Sequence, residues 1–173
     1  KELPLEPYLL GALIGDGYLR DNGGNTFSNP EEDIVNKVGS QLANIGWKLT
    51  KYDNETSDYG LTAIDYSNKE YQGTMYLTDT LKELGLHGKK SYEKFIPEVY
   101  LHTGTEDRLE LLKGLIDTDG SCEGSSYEYT TSSERLAEDV KELVESLGGT
   151  ASLGVKEEPK YVYNGETRTG RTS

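Results

Sequence analysis

The sequence contains a single cysteine, Cys122, so an intramolecular disulfide cannot form. A reducing intracellular compartment is therefore the expected setting. The chain also lacks any apolar run near the roughly 18 residues that a membrane-spanning helix needs, and we expect neither a signal peptide nor a membrane partner. The only histidines, His87 and His102, lie apart with no spacing that suits zinc. These absences favour a globular intracellular protein.

Positive charge is scarce as well. Eighteen Lys and Arg residues face 31 Asp and Glu residues, which gives a formal net charge of −13. This balance counts against nucleic-acid binding, which normally depends on basic residues against phosphates. Net charge does not fix the charge distribution, so one basic face remains compatible with it. The 173 residues suffice for one domain or for two small repeats with a buried core.

Two stretches of the chain end in the same way. Leu112 to Gly120 reads L-K-G-L-I-D-T-D-G, and Leu9 to Gly17 reads L-L-G-A-L-I-G-D-G. Each predicts an apolar helix that places an aspartate, Asp119 or Asp16, in its last turn before a glycine. Small residues would let the two helices pack closely at an interface of Gly11, Ala12, Gly15, Gly114 and Thr118.

Side-by-side helix ends would bring two carboxylates together. Adjacent carboxylates repel unless a cation lies between them, so the pattern predicts a divalent metal held by Asp16 and Asp119. A metal with open coordination positions suits phosphodiester hydrolysis. The alternative is two helix-ending turns with solvated aspartates. A calcium-binding EF-hand from Asp117 onward is excluded, because Cys122 replaces the glycine needed at its sixth position.

The second part of the chain repeats the first. Asp16 and Asp119 are 103 positions apart, and the next helical pattern recurs at a spacing of 102. The repeat aligns Ile34, Val38, Leu42, Ile45 and Gly46 with Leu136, Val140, Val144, Leu147 and Gly148. We infer an internal duplication with halves 1–104 and 105–173, the second truncated at its C-terminus. The pattern also predicts Asn29 as a helix N-cap, a strand over 150–155 and a hairpin after it.

Both stretches resemble the LAGLIDADG (dodecapeptide, or DOD-type) motif of homing endonucleases, in the two-motif form found within inteins. The second copy is nearly complete, whereas the first has Ile14 and Gly15 where the motif has Asp and Ala. The resemblance implies an α+β fold of two pseudo-symmetric αββαββ halves that pack through the motif helices. It also implies that saddle-shaped antiparallel sheets lie over DNA.

The same resemblance implies site-specific double-strand cleavage of DNA by metal-dependent phosphodiester hydrolysis. Asp16 and Asp119 would be the catalytic ligands of Mg²⁺, with Mn²⁺ as an alternative. Lys94, in the stretch Lys94-Phe95-Ile96-Pro97, matches the catalytic lysine that intein endonucleases carry before an Ile-Pro pair. Without the resemblance, the sequence favours a solvated loop lysine at this position. Its counterpart in the second half is expected beyond Ser173.

The implied partner is double-stranded DNA, whose bases are read by strand side chains in the major groove. The candidate contacts are Arg20, Lys48, Lys51, Lys69, Lys156, Lys160, Arg168 and Arg171. Protein splicing would need an N-terminal nucleophile and a C-terminal His-Asn pair, which Lys1 and Ser173 do not provide. We therefore expect a monomeric endonuclease segment whose intein splicing domain lies in cis outside this chain.

Two other functions remain open. A catalytically decayed DNA-binding remnant of the same fold would agree with the acidic charge and the degenerate first motif. An intron RNA maturase is the second alternative, because the family that the motifs resemble also includes such proteins. Cleavage that depends on Asp119 would separate an enzyme from a remnant, and tight binding of an intron RNA would indicate a maturase.

Overall fold

The computed structural model describes residues 3–21, 24–53, 55–64, 73–155, 160–163 and 166–169. The helices in these ranges are α1 (Pro7–Asp16), α2 (Glu32–Asn44), α3 (Gly73–Glu83), α4 (Glu98–Leu101), α5 (Thr105–Asp119) and α6 (Glu134–Ser146). The strands are β1 (Gly17–Tyr18), β2 (Thr26–Ser28), β3 (Trp47–Lys51), β4 (Asp58–Ala63), β5 (Gly120–Glu123), β6 (Ser126–Tyr129), β7 (Lys160–Tyr163) and β8 (Glu166–Thr169). The predicted α+β class is confirmed. Nowhere in these ranges is a helix both long and apolar enough to cross a membrane.

Helix α1 is the centre of the core. Its side chains are buried from Pro7 to Ile14, because α5 packs along one side and α2 also contacts it. A helix that is apolar all round must be surrounded by protein to be stable. Helix α5 buries only Leu111, Gly114 and Leu115, and its other face is polar.

The two motif helices approach to backbone contact. A Cβ atom on Gly11 would collide with the carbonyl oxygen of Leu111, and one on Gly114 would collide with that of Tyr8. Any larger residue at either glycine would push the helix axes apart. The glycines are therefore required by the packing of α1 against α5.

The first half carries a four-stranded antiparallel sheet in the order β1-β2-β4-β3. Phe27, Trp47 and Leu61 are buried on its inner face. Side chains alternate between the faces of a strand, so Lys48 and Thr50 lie on the opposite, open face, where both are exposed. In the second half, β5 pairs with β6 and β7 pairs with β8 as separate antiparallel hairpins.

The two halves share the register that the sequence predicts for their second helices. Helix α2 (Glu32–Asn44) and helix α6 (Glu134–Ser146) begin and end at positions 102 residues apart. Gly46 and Gly148, just after these helices, have φ angles of 76° and 85°. Such left-handed conformations favour glycine at a helix C-terminus.

The prediction of a strand over 150–155 is wrong. This segment has no regular structure, and it leaves Leu153 54% and Val155 89% exposed. The equivalent strand of the first half, β3, is anchored by Trp47, which is only 4% exposed. Gly149 stands at the corresponding position of the second half, so the side chain that would bury this strand is missing.

The predicted N-cap role of Asn29 is also wrong. The N-cap of α2 is Glu31, which makes no side-chain capping bond. Asn29 lies two residues earlier, and its Oδ1 accepts a hydrogen bond from the backbone N–H of Glu31 at 2.8 Å. This is an Asx turn that precedes the helix rather than a cap on its first turn.

Candidate active site

Asp16 and Asp119 are the last residues of α1 and α5, and the two helices stay in contact up to their ends. A Cβ atom on Gly15 would collide with Thr118 and would lie 3.2 Å from Oδ2 of Asp119. The carboxylate of Asp119 therefore lies against the turn of α1 that ends in Asp16. Two residues far apart in sequence are brought to one place by this packing.

Each aspartate is followed by a glycine because the chain turns sharply out of its helix there. Gly17 and Gly120 have extended φ angles of −79° and −94°, which any residue can adopt. A Cβ atom would instead collide with the carbonyl oxygen of Leu13 or of Ile116 in the preceding turn. The glycines thus permit close passage of the chain, which continues directly into β1 and β5.

The electrostatics of the pair fit a cation site. Burial raises the pKa of Asp16 to about 6; the charge of Asp119 also raises it, while the Asn29 amide and the Lys94 ammonium act in the opposite direction. Burial raises the pKa of Asp119 as well, and Lys94 opposes this shift. Two partly buried carboxylates of raised pKa gain stabilisation from a nearby divalent ion, which favours their charged forms.

Lys94 lies beside this pair, but it is not a solvated loop lysine. Its side chain is part of the buried interior, with only 6% of the residue exposed. Its Nζ donates to the carbonyl oxygens of Ile14 at 2.5 Å, Gly15 at 3.1 Å and Gly17 at 2.7 Å. These include the unpaired carbonyls at the negative end of α1, so the ammonium stabilises the helix terminus that carries Asp16. Burial lowers the pKa of Lys94 to about 8, and Asp119 and Asp16 limit that fall.

The second half of the chain holds the Lys94 segment in place. The Ser133 hydroxyl donates to the carbonyl oxygen of Lys94 at 2.7 Å and accepts the N–H of Leu136 at 3.2 Å as the N-cap of α6. The N–H of Ile96 donates to Oδ2 of Asp139 at 2.8 Å. Lys94 therefore links the end of α1 to the beginning of α6.

Open clefts lie on both sides of Lys94. One, of about 480 Å³, includes Asp16, and another, of about 310 Å³, includes Asp119. Both are lined by Gly15, Ser91 and Lys94. Each carboxylate therefore has space beside it for water, an ion or a phosphate group.

The structure separates the predicted DNA-contacting residues. Arg20 is exposed, and its guanidinium lies 4.5 Å from the centroid of the Tyr18 ring. Lys48 and Lys51 are both exposed but lie on opposite faces of β3, so one sheet face cannot present both. Lys160 lies in β7 and Arg168 in β8. The candidates outside the described residues are Lys69, Lys156 and Arg171.

Sequence reasoning missed two polar residues beside the carboxylates. Asn29 is 4% exposed, and its Nδ2 donates to Oδ2 of Asp16 at 2.6 Å. Tyr129 pairs with Gly120 across the β5–β6 hairpin, and its buried hydroxyl has no hydrogen-bond partner among the residues that the structure describes. Burial and the charges of Asp119 and Asp16 raise the pKa of this hydroxyl. The sequence repeat indicates the position of Tyr129, because Phe27 occupies the corresponding position 102 residues earlier.

In this chain two helices pack through glycines, and each ends in an aspartate that leads into an antiparallel strand pair. Residues 106–172 match the LAGLIDADG-like domain family. A solved structure of a mesophilic variant of the homing endonuclease I-DmoI has the same fold, with a TM-score of 0.54 and 16% identity over 90% of this chain and 82% of that one. Residues 106–172 therefore carry a LAGLIDADG-like domain, and the chain as a whole has the fold of this homing endonuclease variant.

Curated relatives place similar segments inside much longer proteins. The replicative DNA helicase DnaB of Mycobacterium intracellulare is 28% identical over 157 residues, which are 90% of this chain and 21% of the helicase. The DnaB protein of a Nostoc species is 32% identical over 160 residues, or 86% of this chain and 18% of that protein. The chain therefore spans about a fifth of the length of these relatives.

Proposed function

We propose that this chain is the endonuclease domain of an intein and that it hydrolyses both strands of DNA at a specific site with Mg²⁺ or Mn²⁺. One observation carries the proposal. Asp16 and Asp119, 103 positions apart in the sequence, meet at the ends of two helices that touch along their length. A purely structural helix pair has no need for two partly buried carboxylates at this point.

The residues present fit a hard divalent cation. Carboxylate oxygens are ligands that Mg²⁺ prefers, and Asp16 and Asp119 would hold it. Across the described ranges, no group of three or more His, Cys, Asp or Glu side chains is arranged to hold a metal. The other ligands would therefore be water and DNA phosphate oxygens, which suits Mg²⁺ because it usually keeps several waters. When bound, the ion would activate water and neutralise charge on the phosphate.

Lys94 supports this reaction through its charge. Its three hydrogen bonds go to backbone carbonyls of the α1 terminus, so it has no further N–H to orient the attacking water. A buried positive charge beside both carboxylates would still stabilise negative charge that develops on the phosphate. It would also hold the backbone from which Asp16 projects.

Double-stranded DNA is the proposed substrate, and the open face of the first-half sheet is the proposed contact surface. Lys48 and Thr50 lie on that face, and the Thr50 and Thr62 hydroxyls lie 2.8 Å apart. Part of the acidic charge lies elsewhere. Helix α6 alone carries Glu134, Glu138, Asp139, Glu142 and Glu145. The net charge of −13 is therefore compatible with DNA binding by the sheet.

The relatives suggest the setting of the domain. We propose that the host is a DnaB-type replicative helicase and that the splicing domain lies in cis outside this chain. Both halves of the site are present in one polypeptide, so a monomer would suffice. The host would place the domain inside the cell.

The test is cleavage of a supercoiled plasmid that carries a dnaB coding sequence without an insertion. With Mg²⁺ or Mn²⁺, we expect the wild-type chain to linearise this plasmid and to leave a plasmid with an unrelated insert intact. Asp119→Asn should remove the activity. If neither ion supports cleavage of any uninterrupted dnaB junction, the proposal is wrong.

A decayed DNA-binding remnant is the second candidate. The observations that favour it are the net charge of −13 and the full engagement of the Lys94 ammonium. A remnant would retard the dnaB junction in a gel-shift assay but would leave the DNA uncut with either metal.

A further inference from the structure

The carboxylates of Asp16 and Asp119 differ in their side-chain hydrogen-bond partners. Asn29 donates from Nδ2 to Oδ2 of Asp16 at 2.6 Å and accepts the Glu31 N–H at its own Oδ1 at 2.8 Å. Because one end of the amide accepts and the other donates, only one orientation of the side chain satisfies both bonds. Asn29 is also 4% exposed, so the surrounding protein restricts its movement.

The second half builds the same turn with a different residue. Thr131 corresponds to Asn29 at the spacing of 102, and its Oγ1 accepts the N–H of Ser133 at 3.1 Å. Threonine reproduces the acceptor of the turn but has no amide group to reach towards Asp119. The turn therefore occurs in both halves. Asn29 adds an amide donor to Asp16, and Thr131 has no equivalent of that donor.

We propose that Asn29 is a positioning residue that fixes the carboxylate of Asp16, so that Asp16 and Asp119 contribute unequally to holding the metal and the two DNA strands are cut unequally. This inference rests on the proposed function. A donor on Oδ2 restricts rotation of the carboxylate and leaves Oδ1 available to a cation. Outer partners of this kind typically change metal affinity or activity by about 10-fold to 100-fold.

The informative variant is Asn29→Thr. It rebuilds the turn as Thr131 makes it and removes only the donor to Asp16. Asn29→Ser is a second route to the same loss, since a serine hydroxyl keeps an acceptor for the Glu31 N–H, has no amide donor and adds no charge. Thr131→Ser is the matched control, because serine keeps the turn hydroxyl of the other half.

Three quantities are measured for each variant. They are the melting temperature, the affinity for Mn²⁺ by calorimetry without DNA, and the proportions of supercoiled, nicked and linear plasmid after digestion of the dnaB junction. For Asn29→Thr we expect a melting temperature close to that of the wild type and Mn²⁺ binding weakened by about 10-fold or more. Nicked circles should accumulate ahead of linear DNA. Thr131→Ser should match the wild type in every readout.

The outcomes separate the two proposals. If the wild type binds Mn²⁺ and both Asn29 variants bind it equally well, with no excess of nicked circles, the positioning role is wrong while the nuclease proposal stands. If the wild type binds no Mn²⁺ and cuts no DNA, the proposed function is wrong and this inference is wrong with it.

Discussion

The surroundings of Asp16 and Asp119 are alike in backbone and unlike in side chains. Each aspartate is the last residue of a helix, precedes a glycine and lies next to a strand. Asp16 is held by the amide of Asn29, whereas Tyr129 brings an unpartnered buried hydroxyl to the strand beside Asp119. Lys94 is shared, since it contributes to the pKa of both carboxylates.

This comparison separates the features that the two halves share from those in which they differ. Packing of α1 against α5 requires glycine at the contact, and a cation site requires two carboxylates, so these features recur in both halves. The partners of the carboxylates are less constrained. In the proposed endonuclease, two different halves would therefore treat the two strands of the DNA site differently.

The largest expected effect comes from removing either carboxylate. Asp16→Asn and Asp119→Asn should each reduce double-strand cleavage of the dnaB junction by more than about 100-fold, beyond the loss typical of an outer-shell change. Because the two halves of the site are proposed to act unequally, residual nicking of each DNA strand should differ between the two variants. Strand-specific labelling of the substrate measures this. Equal residual nicking of the two strands by both variants would contradict the inequality.

The helix interface that joins the two sides should be the most sensitive structural feature. Gly11→Leu forces a side chain onto the carbonyl of Leu111 and should lower the free energy of unfolding by about 3 kcal/mol. Chemical denaturation measures the change. The control is Gly39→Ala in α2, where no atom lies within 4 Å of the added Cβ, and it should stabilise by about 0.5 kcal/mol.

The shared lysine should contribute to stability as well as to activity. Lys94→Met leaves buried carbonyls of the α1 terminus without their donor and should destabilise the fold by about 2 kcal/mol. Lys82→Met is the control, because Lys82 is exposed and its ion pair with Asp79 lies at the surface. A Lys94→Met variant that loses cleavage with an unchanged melting temperature would contradict the helix-terminus role.

Much of this arrangement follows from the sequence because it depends on local patterns. The paired Asp-Gly ends predict the meeting point of Asp16 and Asp119, and the 102-residue register predicts the bounds of α6 from those of α2. The N-cap prediction for Asn29 is wrong because its side chain closes an Asx turn two residues before the true N-cap, Glu31, and the sequence pattern of the two arrangements is similar. The burial of Lys94 could not be predicted, because lysine is almost never fully buried without a partner.

The raised pKa of Asp16 gives a pH-dependent effect on stability. Its pKa is about 6 in the folded protein, against an ordinary value of 3.8, so the folded state binds more protons between these values. Rising pH through this window therefore lowers stability. Without metal, Asp16→Asn should be more stable than the wild type above pH 6 by about 1 kcal/mol, after allowance for solvent screening. Below about pH 4 the difference should vanish, and melting curves across this range test it.

The smallest expected effect concerns Tyr129. Tyr129→Phe removes a buried hydroxyl that no group in the described part of the chain pairs with, and it should stabilise the fold by about 0.5 kcal/mol. Phe27 shows that phenylalanine fits the corresponding position of the first half. Tyr127→Phe is the control on the same strand, because Tyr127 is 71% exposed and its change should be neutral. A lower melting temperature for Tyr129→Phe would mean that its hydroxyl has a stabilising partner in solution.

The most direct test of the shared cation site is anomalous X-ray diffraction from crystals grown with Mn²⁺ and the dnaB junction DNA. The account predicts manganese density in contact with the carboxylates of both Asp16 and Asp119. Manganese that touches neither carboxylate, or carboxylates that point into separate environments, would contradict it.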